Sequence, residues 1–203
     1  VRSDVVALYV DARGPYGALG VDCWTWEADA QLLLSDRDAR RYAGPAPCVA
    51  HPPCGPWGRL RHLYRGAEHD CGPRAVEQVR RFGGVLEHPA GSQLWAACGM
   101  PAPGQGADAF GGYSIEVCQV DWGHPARKRT WLYVVGTIDL PPFPAPREPT
   151  HWVSGRRGMA RASDNVPPGI KVCSAQQRRR TPVAFAQWLL DVAGSVRRAR
   201  GAA

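Results

Sequence analysis

Uninterrupted apolar runs are the first pattern along the chain: Val5 to Val10, closed by Asp11; Cys48 to Ala50, closed by His51; and Thr130 to Gly136. Runs without alternation read as strands covered on both faces, the habit of parallel sheets in α/β proteins. Shorter strands are predicted at Cys23–Trp26 and at Val85–Leu86. A further strand is predicted over Ser114–Trp122, where Ile115, Val117 and Val120 take the buried positions. Between the strands the spacing turns helical. Gly72-Pro73 opens a helix carrying Ala75, Val76, Val79 and Phe82 on one face, and Gly83-Gly84 closes it. A helix is expected over Ala30–Tyr42, ended by Gly44-Pro45, and a helical turn within Gly91–Gly99. Thr181-Pro182 is an N-cap followed by proline, and Phe185, Trp188, Leu189 and Val192 share one face of a helix ending near Gly194. Strands alternating with helices predict an α/β fold. Its domain would comprise 1–137 plus 181–196, with 138–180 a basic, irregular insertion and a candidate DNA-contacting region.

Two prolines follow His51 and end its strand, because proline donates no ladder hydrogen bond. Cys54 therefore stands on a rigid turn just past a strand's carboxyl end, where open α/β sheets place their ligands. It reads either as a nucleophile or as a buried structural cysteine. The chain's net charge of +7 comes with 25 Lys and Arg, clustered late in the sequence. Arginine recognises phosphate through a planar fork, so nucleic acid is a natural partner, with general solubility charge the plainer alternative. Seven scattered cysteines with no Cys-x-x-Cys pair argue against a disulfide framework. Without a signal-peptide pattern or an apolar run of membrane-spanning length, a cytoplasmic protein is expected. Cys48, His51, Cys54, His69 and Cys71 contain zinc-ligating types, but their spacing along a strand and turn does not favour a metal site.

Three polar turns stand in order next to strands: His51-Pro52-Pro53-Cys54, Glu87-His88-Pro89, and Arg127-Lys128-Arg129. In that order they resemble the DNA cytosine-C5 methyltransferase family, which carries Pro-Pro-Cys, then Glu-Asn-Val, then Gln-x-Arg-x-Arg leading into an apolar strand. The resemblance covers roughly residues 47–136 and implies a Rossmann-like methyltransferase-type sheet with helices on both faces. It implies Cys54 as the nucleophile, Glu87 against the flipped base, and Arg127 and Arg129 at the thiol or backbone. His51, Pro53, Trp57, Arg59, His88 and Lys128 would then bind the substrate. Such chemistry needs a thiolate to add at cytosine C6, a carboxyl group to read the ring edge, and a base taken out of the duplex.

The likeness is incomplete before His51. The family's Phe-x-Gly-x-Gly loop for S-adenosylmethionine is here Asp11-Ala12-Arg13-Gly14-Pro15, and the stretch up to Pro47 has room for only one or two short elements. The cofactor half is therefore shortened. Asp11, Trp24 and Glu27 are its candidate cofactor residues, and a different one-carbon donor stays open beside S-adenosylmethionine. The large target-recognition region is also missing, so a protein partner supplying recognition is an open expectation. Other readings are a catalytically inactive DNA-binding relative and a cysteine enzyme acting on free pyrimidine nucleotides.

Overall fold

The computed structural model describes residues 4–26, 35–66, 70–136, 139–153, 166 and 168–201. Six strands form one mixed sheet: β1 (Val6–Leu8), β2 (Asp22–Trp24), β3 (Cys48–Ala50), β4 (Gly84–Pro89), β5 (Tyr113–Cys118) and β6 (Arg129–Val135). Their order is β2-β1-β3-β4-β6-β5. The first four are parallel, and β6 runs antiparallel to both β4 and β5.

The continuous apolar runs are explained by cover on both faces. Ala7, Val49, Val85, Leu132 and Val134 pack with Tyr16 from the short helix α1 (Pro15–Ala18) and with the terminal helix α5 (Val183–Gly201). Leu8, Ala50, Leu86, Tyr133 and Val135 face the other way, onto Ala75, Val76 and Val79 of α2 (Cys71–Phe82). Residues side by side in the ladder, such as Leu8, Ala50 and Leu86, belong to one face. A slip of one residue in any pair would exchange the two cores.

Four details differ from the sequence reading. Within the described part of the predicted helix 30–42 there is only a 3₁₀ turn at Ala39–Arg41. Asp38 caps it by accepting from Arg40 N at 2.9 Å, a local bond that competes with a longer helix. The loop after β1 passes directly into α1, although the sequence there carries no helical pattern. The strand predicted over Ser114–Trp122 ends at Cys118 and continues as a 3₁₀ turn, Gln119–Trp122. Finally, α5 continues past Gly194 to Gly201. Val196 is buried, so packing beyond the glycine offsets its cost of about 1 kcal/mol in a helix.

The predicted insertion holds a two-stranded parallel ladder, β7 (His151–Trp152) with β8 (Lys171–Val172), and the short helix α4 (Ala175–Arg179). Arg156, Arg157 and Arg161 lie outside the described residues. No described helix is long and apolar enough to cross a membrane.

Gly84 is the tightest backbone approach in the sheet. Its φ is +119°, and a Cβ there would fall on the carbonyl oxygen of its ladder partner Cys48. Gly91 also has a positive φ, +74°, but open space around it. Gly84→Ala should therefore cost about 4 kcal/mol or more, against about 1 kcal/mol for Gly91→Ala, as read by urea unfolding. Equal costs would show that the β3–β4 approach is not the constraint described.

A candidate active site at the strand ends

The sheet's order reverses between β1 and β3, one connecting outward to β2 and the other to β4. At such a switch point the loops diverge and leave a crevice outside the strands' carboxyl ends. A cavity of about 1160 Å³ lies there. Its walls come from the loop after β1, from His51, Pro52 and Cys54 after β3, from Glu87–Pro89 of β4, from Lys128 before β6, and from Gln176–Thr181. Small-molecule sites commonly span ~300–1,000 Å³, so there is volume for more than a single base.

At the floor, Glu87 is buried and doubly held. His51 Nδ1 lies 3.1 Å from its Oε2, and Gln119 Nε2 donates to Oε1 at 2.7 Å while also reaching Thr130 Oγ1 at 3.0 Å. Burial works to raise the Glu87 pKa, but the His51 hydrogen bond and the charge of Lys128 hold it down to about 2. An ionised carboxylate only accepts, so His51 donates from Nδ1. Its other nitrogen, Nε2, lies 2.6 Å from Tyr16 Oη and in the neutral ring accepts that hydroxyl's hydrogen. Burial first, and then the Glu87 charge, keep the Tyr16 hydroxyl protonated.

Neighbouring His88 faces the opposite side of β4, with Nδ1 2.8 Å from Ser92 Oγ. Burial lowers its pKa to about 4, against the opposing pull of Glu87 and the Pro53 carbonyl.

Cys54 sits on a turn closed by Trp57 N and Gly58 N donating to its carbonyl at 3.2 and 2.8 Å. The residue has solvent access, yet desolvation around the sulfur pushes its thiol pKa up. Glu87 pushes the same way, whereas Lys128 and Arg179 pull it back.

The cavity thus brings together Cys54, Glu87, His51, His88, Lys128 and Asp11. It does not include Arg127 or Arg129. Arg127 pairs with Glu148 at 3.2 Å, and Arg129 grips Glu116 at 2.6 and 3.0 Å. Strand alternation is the reason for Arg129. Thr130 and Leu132 of β6 face the Glu87 side, so Arg129 and Trp131 face away. Among the other expected substrate residues, Pro53 and Arg59 do not line the cavity, and Trp57 packs against the α2-side core.

Cys48 and Cys71 are both buried in that same core, and His69 lies outside the described residues. Among the described residues no three His, Cys, Asp or Glu side chains are grouped to hold a metal. Sequence reasoning missed Tyr16, Gln119 and Thr130. Tyr16 was hidden in a Gly/Pro loop, and Gln119 looked like one more position of an alternating strand.

Of the expected cofactor residues, the two that are described, Asp11 and Trp24, lie in different places. Asp11 lines the cavity, but Arg13 engages both of its oxygens, at 3.2 and 3.3 Å. Trp24 lies on the α2 side, edge-on to Tyr42 and beneath Arg37. Glu27 lies outside the described residues. Tyr9, at φ +60°, turns the chain out of β1 and is tied to Gln78 Oε1 by its hydroxyl at 2.9 Å. A left-handed tyrosine is costly, and here it shapes the β1 side of the cavity.

The two acid-labile groups predict separable pH effects. His88 is neutral in the fold but takes up a proton when unfolded below its ordinary 6.5. Its contribution is therefore lost between pH 6.5 and about 4, an effect of about 3 kcal/mol. Glu87 is ionised in the fold, and its contribution is lost between its ordinary 4.5 and about 2. Unfolding measured across this range should show His88→Asn reducing the loss in the upper window, to which His124, its pKa also lowered by burial, contributes a further part. A variant that still loses stability between pH 6.5 and 4 as the parent does would contradict the assignment.

The chain matches no protein-family model, and no curated protein matches its sequence, so the site is read from its own geometry.

Proposed function

We propose that this chain is a DNA base-modifying enzyme that transfers a one-carbon group, methyl in the first instance, to C5 of cytosine. The observation that carries the reading is that Cys54, an ionised Glu87 and Lys128 share one cavity at the sheet's switch point. The mixed sheet covered on both faces agrees in outline with a Rossmann-like methyltransferase, and the single strand β2 beyond β1 agrees with a short cofactor half.

In the proposed reaction the extruded cytosine donates its exocyclic N4–H to Glu87, whose oxygens keep lone pairs beyond those used by His51 and Gln119. The Cys54 thiolate adds its electron pair to C6, and the ring electrons move to C5, which becomes a nucleophile. C5 attacks the electrophilic carbon of the one-carbon donor, whose bond to that carbon breaks with its electron pair staying on the donor. The C5 hydrogen then leaves as a proton to solvent, and the electron pair left behind expels the Cys54 sulfur and restores the ring. Of the cofactor candidates, Asp11 lines the cavity and Trp24 does not, so S-adenosylmethionine is not singled out as the donor. It stands as one donor to be tried among others.

Addition of the thiolate makes the C5 hydrogen exchangeable even without a donor. Wild-type protein should wash deuterium from C5-deuterated cytosine in an oligonucleotide, with a rate that rises with pH as the raised thiol ionises. Cys54→Ala should reduce this exchange to background while keeping affinity for the oligonucleotide. Background exchange by the wild type, with binding intact, would sink the covalent reading and favour an inactive DNA-binding relative.

A further inference from the structure

The cavity wall formed by Gln176–Thr181 was not among the residues expected at the site. It brings Arg178, Arg179 and Arg180 into the space that already holds Lys128 and Cys54. Among the described residues two carboxylates, Asp11 and Glu87, share that lining. Asp11 is taken by Arg13, and both Glu87 oxygens accept from the protein's own donors. Among the described residues no ion pair reaches Lys128, Arg179 or Arg180. Glu87 answers part of the Lys128 charge, but cations outnumber carboxylates in this lining, and an anion entering the cavity would relieve their mutual repulsion.

The backbone that carries the arginines is held in place by neutral contacts. Thr150 N and His151 N both donate to Pro125 O at 2.9 Å, which seats the insertion on the turn between β5 and β6. Cys173 N then donates to Trp152 O at 2.8 Å. Ser174 and Gln177 close a capping box on α4, with bonds of 3.1 and 2.8 Å. From the same turn as Lys128, buried His124 places Nε2 3.0 Å from the Gln177 carbonyl. Placement achieved without the ligand lowers the ordering cost of binding one.

We propose that Lys128, Arg179 and Arg180 form a clamp for the phosphate ester of the pyrimidine nucleotide whose base faces Cys54, with His124 as the positioning residue that holds the arginines through Gln177. Arginine forks match phosphate oxygens, and the lysine adds a point charge. The inference rests on the proposed reading for the identity of the base, but its test is binding rather than transfer. The phosphate ester has two sources, a DNA strand or a free nucleotide, and the ligands below separate them.

The full chain is titrated by calorimetry with deoxycytidine, dCMP and a single-stranded oligonucleotide containing one cytosine. The wild type should prefer dCMP over deoxycytidine by about tenfold or more. The double variant Arg179→Gln/Arg180→Gln should lose that preference while binding deoxycytidine as before. If the ligand is a strand, the oligonucleotide binds more tightly than dCMP, and the double variant lowers the log–log salt slope by up to about 0.7, the value for the one phosphate that loses its arginines. If it is a free nucleotide, dCMP binds as tightly as the oligonucleotide.

His124→Ala should lose the phosphate preference, and His124→Gln, whose amide can still donate to Gln177 O, should restore much of it. A merely structural histidine would instead lower affinity for deoxycytidine and dCMP alike. The clamp is overturned if the wild type shows no phosphate preference, or if the double variant keeps it. Because both arginines are exposed, the second result would not be a folding artefact. Phosphate preference without C5 exchange would remove the Cys54 chemistry and leave the clamp. Exchange without phosphate preference would do the reverse.

Discussion

The structure turns on one buried carboxylate. Moving an ion out of water costs several kcal/mol unless hydrogen bonds replace its hydration. Glu87 receives them from His51 at the end of β3 and from Gln119 just past β5, and Gln119 is itself fixed by Thr130 of β6. One charge therefore ties together the ends of four strands, β3 to β6. Tyr16, through the far nitrogen of His51, extends the tie to the loop after β1. A shift of register in any of these pairs would leave the carboxylate unpaired in a dry interior. The same interactions that make the charge tolerable also line up the cavity floor, so folding and site assembly are one event here.

That coupling explains which parts of the molecule were legible in the sequence. The runs at Val5–Val10, Cys48–Ala50 and Thr130–Gly136 have no polar alternation because both sheet faces are covered, and each became a strand. Cys54 and Glu87 could be placed because each stands at or just past a strand end, marked by prolines. The neighbourhoods of the strands were not legible. Nothing in the run of residues says that β6 lies between β4 and β5, and that order sets Thr130 and Gln119 beside Glu87. Nor does composition say which member of Arg127-Lys128-Arg129 turns inward. The pleat decides it: Lys128 reaches the cavity, while the arginines on either side find Glu148 and Glu116 at the surface. The helix predicted to end near Gly194 runs on for a tertiary reason, since Val196 packs against Gly83 and Gly136 at the far end of the sheet.

The described part of the insertion is organised by the turn between β5 and β6. Its ladder has two residues in each strand, and α4 has five, too few to fold independently. Pro125 and His124 supply the missing support by offering a carbonyl and an imidazole to the incoming backbone. The irregular basic stretch read from the sequence is thus ordered where it meets the turn between β5 and β6, and there it supplies part of the cavity wall.

The electrostatics of this cavity also bear on the order of events in the proposed reaction. Burial and Glu87 both favour the neutral thiol at Cys54, while Lys128 and Arg179 favour the thiolate. With the cavity open, the two influences oppose each other and the thiol pKa stays raised. A cytosine laid against Glu87 gives the carboxylate a hydrogen-bond donor, its exocyclic amine. The negative field on the sulfur then weakens while the cations remain. The nucleophile is therefore ionised most easily when a base is in place, and thiolate addition follows base entry rather than preceding it. A phosphate bound by Lys128 and Arg179 acts in the opposite direction, by drawing on the same positive charge. Release of the thiolate thus depends on how the base and the phosphate divide Glu87 and the cations between them, a balance set by the residues that hold these groups in place: His51, Gln119 and His124.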